Sequence, residues 1–354
     1  MKFIHTADVH LGAGPDAGSS YSENRGAEIW DSFERLINIC EKEKMDLLLI
    51  AGDLFHRQPL LRELKEVNYL FSRLTHTKVV LIAGNHDYLK ATSFYRTFTW
   101  CEQVHMLIGP ELEYVEFPEL ETCVYGFSYD RREITEPLYD NAFPQKRQKT
   151  EILLAHGGDE KHIPFNRNKI ESLGYDYVAL GHIHRPGELL KDKICYAGAP
   201  EPIDRNDTGV HGYIKGEVSR GKCRVGFVPF ASREYIHLEV PVTQEMTSRE
   251  VKALVAEEVR ARGVQNLYKI ILTGFGDPDI IYDTESMDVY GNLLEVVNHT
   301  KPAYDFEKLM RQNADNLLGK YIESLYGSEE GSVECQALYE GVKALLANET
   351  DASP

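Results

Sequence analysis

No stretch of this 354-residue chain approaches the roughly 20 apolar residues that a membrane helix needs. The opening Met1-Lys2-Phe3-Ile4-His5-Thr6 also lacks the apolar run of a secretion signal. Cysteine is sparse and scattered: Cys40, Cys101, Cys123, Cys195, Cys223 and Cys335 include no Cys-x-x-Cys pair. That argues against a zinc ribbon or a disulfide framework and fits a reducing compartment, so the expected location is the cytoplasm. Basic charge is short as well, 39 Lys and Arg against 56 Asp and Glu, a net of −17. From residue 236 onward there are 10 basic against 21 acidic residues, a net of −11, which leaves −6 for residues 1–235. Phosphate contacts need local positive charge. Bulk electrostatics therefore do not announce a nucleic-acid binder, and bound divalent metals with a local basic rim would have to supply the attraction. There is no internal repeat and no low-complexity tract.

What is present is α/β patterning in a chain too long for one ordinary core. Residues 2–7 read as a strand. The glycines and proline of 12–20 exclude a helix there. Ile29, Trp30, Phe33, Ile37 and Cys40 recur at three- and four-residue spacing, which predicts an amphipathic helix over 27–44. Strand 47–50, helix 60–75 and strand 79–82 follow, completing a strand–helix alternation. Further strands are expected at 104–108, 112–117, 122–126, 152–154, 177–180, 194–196, 212–218 and 223–229. Residues 131–149 read as an exposed loop region carrying the basic cluster Lys146, Arg147 and Lys149. The character changes near 235. A strand at 236–240, a helix over 251–262 started by Thr247-Ser248-Arg249-Glu250, and a strand at 267–273 make a small second α/β unit. Helices are expected over 306–326 and 335–346, with a frayed end from 348.

Five apolar runs end in metal-ligand residue types: Asp8-x-His10, Asp53, Asn85-His86-Asp87, His156 and His182-x-His184. The carboxyl ends of parallel strands lie along one edge, where open α/β sheets bind ligands, so residues remote in sequence converge. If the backbone stays extended, i, i+2 spacing puts Asp8 with His10, and His182 with His184, on one face. Singly, each has a structural reading, since strand-end Asp caps turns and Asn85 suits a turn. Together, in this order, they point to a site. Asp8, His10, Asp53, Asn85, His156, His182 and His184 offer oxygen and imidazole donors without thiolate, which suits manganese, iron or zinc. Seven ligands are too many for one ion, whereas two ions sharing a bridging carboxylate would use them all. Two metals roughly 3.5–4 Å apart can acidify a bridging water, polarise phosphoryl oxygens and clamp an in-line displacement.

With these residues the chain resembles the calcineurin-like metallophosphoesterase superfamily, over about residues 1–230. More narrowly it is similar to SbcD-type DNA repair exonucleases, on three stretches: His5-Thr6-Ala7-Asp8-Val9-His10-Leu11-Gly12, Gly52-Asp53-Leu54-Phe55-His56 and Tyr196-Ala197-Gly198-Ala199-Pro200. The resemblance implies a four-layer α/β/β/α sandwich over 1–235, a small α/β capping domain over 236–300 and C-terminal helices over 301–354. It implies one metal held by Asp8, His10, Asp53 and His184, and another by Asp53, Asn85, His156 and His182, with manganese the usual ion. His86 would stabilise the transition state or protonate the leaving oxygen, Asp87 would orient His86, and His56 would meet the nucleotide. The implied activity is phosphodiester hydrolysis by a metal-bridged hydroxide, as a DNA exonuclease, with endonuclease activity also within the resemblance. The implied partners are DNA, a coiled-coil SbcC-type ATPase docking on the terminal helices, and a second copy of the chain, with no membrane. Arg25, Arg57 and Arg185, next to the motifs, are candidate phosphate contacts. The same scaffold also supports a phosphatase or cyclic-nucleotide phosphodiesterase, or a scaffold protein without catalysis, though the complete ligand set disfavours the last.

Overall fold

The computed structural model describes residues 1–19, 21–219 and 221–351. The chain divides into two units, Met1–Tyr235 and Ile236–Pro354. The first contains strands β1 (Lys2–Thr6), β2 (Leu47–Ala51), β3 (Lys78–Ile82), β4 (Val104–Met106), β5 (Glu113–Phe117), β6 (Thr122–Gly126), β7 (Thr150–His156), β8 (Tyr177–Gly181), β9 (Gly187–Leu190), β10 (Ile194–Tyr196), β11 (Gly212–Ser219) and β12 (Lys222–Pro229). Its helices are α1 (Arg25–Glu43), α2 (Leu61–Ser72) and α3 (Arg167–Ser172). One sheet has the order β12-β11-β1-β2-β3-β4 and the other β5-β6-β7-β8-β10-β9. Strands β1 to β4 run parallel, as do β6, β7, β8 and β10.

The run Leu47–Ala51 is apolar at every position because both of its faces are covered. Leu48 and Ile50 pack outward with Ile29, Phe33 and Ile37 of α1 and Leu64, Val67 and Phe71 of α2. Leu47, Leu49 and Ala51 face the second sheet, meeting a core that includes Ile152, Leu154, Tyr177 and Ala179. The far side of that second sheet is covered by Ile170 of α3 and by Ile134, Tyr139 and Ile163 from loops. The layers are thus α/β/β/α, with the sheets face to face. Residues 131–149 are not wholly exposed, as their composition suggests: Ile134, Tyr139 and Ala142 are buried.

The second unit contains β13 (Tyr235–Val242), β14 (Leu267–Gly276), β15 (Leu293–Asn298) and β16 (Lys301–Pro302), with helices α4 (Ser248–Arg262), α5 (Phe306–Gln312), α6 (Leu317–Leu325) and α7 (Val333–Asp351). Thr247 caps α4, with Glu250 reaching back to the Thr247 amide at 2.8 Å, a reciprocal capping pair. Val251, Val255 and Val259 of α4 pack on Leu238, Val240, Ile270 and Leu272. The single helix expected over 306–326 is two. Asn313-Ala314-Asp315-Asn316 interrupts it, and the Asn316 side chain accepts from the Gly319 amide to start α6, because short amide side chains compete with helix bonding and favour caps. Helix α7 continues through Asp351, and residues 352–354 of the terminus expected to fray lie outside the described residues. Strands β9, β15 and β16 carry no strong alternation and are not legible in the sequence.

Candidate metal centre

The loops that follow β1 and β2 run on side by side beyond the sheet. Asp8 donates its amide to Gly52 O (3.1 Å), His10 to Asp53 O (3.0 Å), Leu11 to Leu54 O (2.9 Å) and His56 to Leu11 O (3.1 Å). This zipper carries Asp8, His10 and Asp53 together. The backbone is not extended there: φ is 53° at Asp8, 52° at His10, 50° at Asp53 and 98° at His182. Left-handed turns, not an extended i, i+2 alternation, therefore aim these side chains. Non-glycine residues rarely adopt this region, and such strain gathers at functional sites. Two glycines make room. A Cβ on Gly52 would stand 2.4 Å from His156 Nδ1, and one on Gly84 2.3 Å from Asp53 Oδ1.

All seven candidate ligands converge, from the ends of β1, β2 and β3 in one sheet and β7 and β8 in the other. On one side His10 Nε2 is 3.1 Å from His184 Nε2, and one nitrogen of each ring groups with an Asp8 oxygen. On the other, His156 Nε2 is 2.9 Å from Asn85 Oδ1 and 3.3 Å from Asp53 Oδ2, while His182 Nδ1 is 3.1 Å from Asn85 Oδ1. Asp53 Oδ2 lies between the groups, 3.9 Å from His10 Nε2. Donors about 2.1 Å from one ion and at right angles are about 3.0 Å apart, so these separations are those of atoms sharing a cation. The donor chemistry agrees. His156 Nδ1 meets the Ala51 carbonyl at 2.8 Å and must carry an N–H, so the neutral ring would turn its Nε2 lone pair toward the space shared with the Asn85 and Asp53 oxygens. Asp8 and Asp53 are fully buried, and no Lys or Arg pairs with either among the described residues. Burial raises the Asp8 carboxyl to about 6. Buried negative charge of this kind calls for a cation.

His86 lies beside these groups. Its amide donates to Asp53 Oδ1 at 2.8 Å and its Nδ1 meets His56 O at 3.1 Å. The His56 ring stacks on it, centroids 5.2 Å apart at 28°, and one nitrogen from each of His10, His56 and His86 falls within 4.8 Å of the others. Asp87 does not orient His86. Its carboxylate accepts from Gly84 N (2.8 Å), Phe55 N (3.2 Å) and Tyr95 Oη (2.9 Å), so it ties the Asn85 loop to the Asp53 loop, and the His56 carbonyl takes the place expected of it. Burial, reinforced by the Asp53 charge, raises the Asp87 carboxyl to about 7.

Of the candidate phosphate contacts, Arg25 is buried, bonded to Glu28 (2.6 Å) and Pro202 O (2.7 Å), and is not available to DNA. Arg57 makes a two-pronged pair with Glu63 at 3.0 and 2.7 Å. Arg185 is exposed and makes no ion pair among the described residues. In the basic cluster, Arg147 pairs with Glu116 and Lys149 with Glu121, while Lys146 donates to Gly174 O, so no free cationic track exists there. Four residues passed unnoticed in the sequence. Asp159 meets His182 Nε2 at 2.7 Å and Asp207 meets His184 Nδ1 at 2.9 Å. Tyr129 and Tyr139 donate to the His156 carbonyl at 3.0 and 3.2 Å. A signal for Asp159 existed, three residues beyond His156 in Gly157-Gly158-Asp159, whereas Asp207 lies in an unremarkable polar turn.

The sequence model of the family described as Calcineurin-like phosphoesterase matches residues 1–186. The chain is 28% identical over 302 residues to the Uncharacterized metallophosphoesterase YhaO of Bacillus subtilis (strain 168), an alignment covering 77% of this chain and 72% of that one. It is 31% identical over 218 residues to the DNA double-strand break repair protein Mre11 of Methanocaldococcus jannaschii, covering 58% of each. It is 26% identical over 300 residues to the protein of that same name from Methanopyrus kandleri, covering 75% of this chain and 62% of that one. The chain thus spans less than two thirds of either archaeal relative.

Proposed function

The chain belongs to the calcineurin-like phosphoesterase family, whose members are metal-dependent phosphoester hydrolases, and from that premise we propose that it is a DNA nuclease of the repair type, cutting phosphodiester bonds from DNA ends. Asp8, His10, Asp53 and His184 would hold one divalent ion and Asp53, Asn85, His156 and His182 the other, with manganese the ion we favour. Two bound ions would supply Lewis acidity and an acidified water at the phosphorus. The chain's own residues do the rest. The His56 carbonyl only accepts, so His86 carries hydrogen on Nδ1, and its Nε2 is the atom that takes up a proton and gives it to the leaving oxygen. Asp87 keeps the loop carrying Asn85 and His86 in register with Phe55.

The observation that carries the choice of DNA is the stacked pair His56 and His86, which sets a second imidazole beside the group that meets the leaving oxygen. The two archaeal relatives, named for DNA double-strand break repair, support the same choice. As parts of this reading we propose a coiled-coil ATPase partner docking on residues 301–354, a capping role for 236–300, a homodimer, Arg185 as the phosphate contact at the rim, and a cytoplasmic location. No helix among the described residues is long and apolar enough to cross a membrane. The pairing of the basic cluster with acidic residues favours a second reading, a phosphatase or cyclic-nucleotide phosphodiesterase that needs no long cationic track. The deciding measurement is the manganese-dependent rate on linear duplex DNA against that on a phosphomonoester and a cyclic nucleotide. Faster DNA degradation, lost in His56→Ala with the small substrates spared, is expected. A preference for either small substrate would transfer the chain to the second reading.

A further inference from the structure

His182 and His184 are two residues apart, yet they meet carboxylates through opposite ring nitrogens. His182 presents Nε2 to Asp159 Oδ2 at 2.7 Å and turns Nδ1 toward Asn85 Oδ1. His184 presents Nδ1 to Asp207 Oδ2 at 2.9 Å and turns Nε2 toward His10 Nε2. A carboxylate accepts hydrogen bonds and does not donate them, so the nitrogen facing it carries the hydrogen and the other keeps its lone pair. As neutral rings, the form that binds a metal, His182 is therefore the Nε2–H tautomer and His184 the Nδ1–H tautomer.

Both carboxylates are anchored, Asp207 half-buried and Asp159 exposed but held by its own loop. Asp159 accepts from the backbone amides of Lys161 (2.8 Å) and His162 (2.9 Å) and from His162 Nδ1 (2.9 Å), and the His162 ring lies 4.4 Å from that of His182, centroid to centroid. Asp207 accepts from the amides of Ile203 (3.2 Å) and Asp204 (3.1 Å). Each is fixed by its own loop, one following β7 and the other preceding β11, and the two loops share no hydrogen bond among the described residues.

We infer that Asp159 and Asp207 are positioning residues that hold His182 and His184 in opposite tautomers, so that each carboxylate governs one of two ions. Asp159 acts on the ion beside Asn85 and His156, through Nδ1 of His182. Asp207 acts on the ion beside Asp8 and His10, through Nε2 of His184. The inference rests on the two-ion reading of the site. Partners behind metal-bound histidines typically control metal affinity 10–100-fold, and here the control is divided, so affinity at one position can change without the other.

The test uses the full chain with histidines labelled in nitrogen-15. Long-range nitrogen–proton correlation spectra of the metal-free protein report each tautomer directly, and a zinc titration then follows the His156 and His182 signals separately from those of His10 and His184. Expected are Nε2–H at His182, and Nδ1–H at His184 once its ring is neutral, at alkaline pH or with zinc bound. Asp159→Ala should raise the zinc concentration needed to shift His156 and His182 by roughly 10–100-fold and leave His10 and His184 unmoved. Asp207→Ala should do the reverse. Asp159→Glu and Asp207→Glu keep a carboxylate that only accepts, so both should retain the tautomers and most of the affinity, which also guards against variants that fail to fold. Equal tautomers at the two histidines, or two alanine variants that weaken the same set of signals, would overturn the inference. A wild-type chain that takes up a single zinc equivalent would instead refute the two-ion reading, with the metal-free tautomers still deciding what the carboxylates do.

Discussion

His156 Nδ1 lies 2.8 Å from the carbonyl oxygen of Ala51, joining the last residue of β7 to the last residue of β2. One hydrogen bond thus links the two facing sheets at the edge where the candidate ligands gather. It leaves His156 Nε2 pointing at Asn85 and Asp53, and it passes over Gly52, whose missing side chain is what allows the ring to come so close.

Gly52→Ala should therefore damage site and fold together. The residue sits at φ 88°, and its new methyl would meet His156 Nδ1. Strain of this kind costs about 1–3 kcal/mol. We expect a lower urea midpoint and loss of one metal equivalent, read by titration calorimetry. A variant that keeps both its midpoint and its metal would show that His156 can move aside freely.

Asp53 lies between the two groups of donors, whereas Asn85 belongs to one. Elemental analysis of the manganese-loaded wild type should give two equivalents. Asn85→Ala should cost one of them, and Asp53→Ala should weaken both. Equal losses from the two substitutions would remove Asp53 from its bridging position.

His86→Gln should retain the metals and lose turnover by roughly 10²–10⁴-fold, the usual contribution of a positioned proton donor. Rates on a phosphodiester with a poor leaving group should fall most. A substitution that lowers metal content instead would make His86 a ligand.

His5 gives a pH dependence independent of the metals. It is fully buried, with Nδ1 2.9 Å from Tyr177 Oη and Nε2 3.2 Å from Leu180 O, and burial lowers its pKa from 6.5 to about 3 despite the Leu180 bond. The fold requires the neutral ring, while the unfolded chain takes up a proton near 6.5. The stability from this residue is complete above pH 6.5 and drains away as pH falls toward 3, at about 1.4 kcal/mol per pH unit. Urea unfolding between pH 6.5 and 4 should show a shallower decline in His5→Gln, and parallel declines would dismiss the effect.

Arg25 and Arg185 should separate structure from binding. Arg25→Ala removes a buried guanidinium bonded to Glu28 and Pro202 and should destabilise the fold by on the order of 2 kcal/mol. Arg185→Ala should leave stability alone and reduce the salt dependence of DNA binding by about one phosphate contact. The opposite assignment would place Arg25 on the DNA.

The sequence by itself determined where the apolar runs stop and which residue types follow them. Within each sheet the gathering of Asp8, His10, Asp53 and Asn85, and of His156, His182 and His184, follows from that pattern, because parallel strands bring their carboxyl ends to one edge, while the facing of the two sheets that joins the two groups is tertiary. The tertiary structure decided what lies behind the ligands. Local spacing suggested extended turns at Asp8 and His182, but the backbone is left-handed at both, since packing between the sheets outweighs local preference. Asp87 neighbours His86 in sequence yet bonds elsewhere, and Arg25 lies two residues before an amphipathic stripe yet is buried. Asp159 and Asp207 reach His182 and His184 across 23 residues each. Hydrogen-bond partners of this range depend on how loops close over the sheet edge, and periodicity within one element carries no record of that closure.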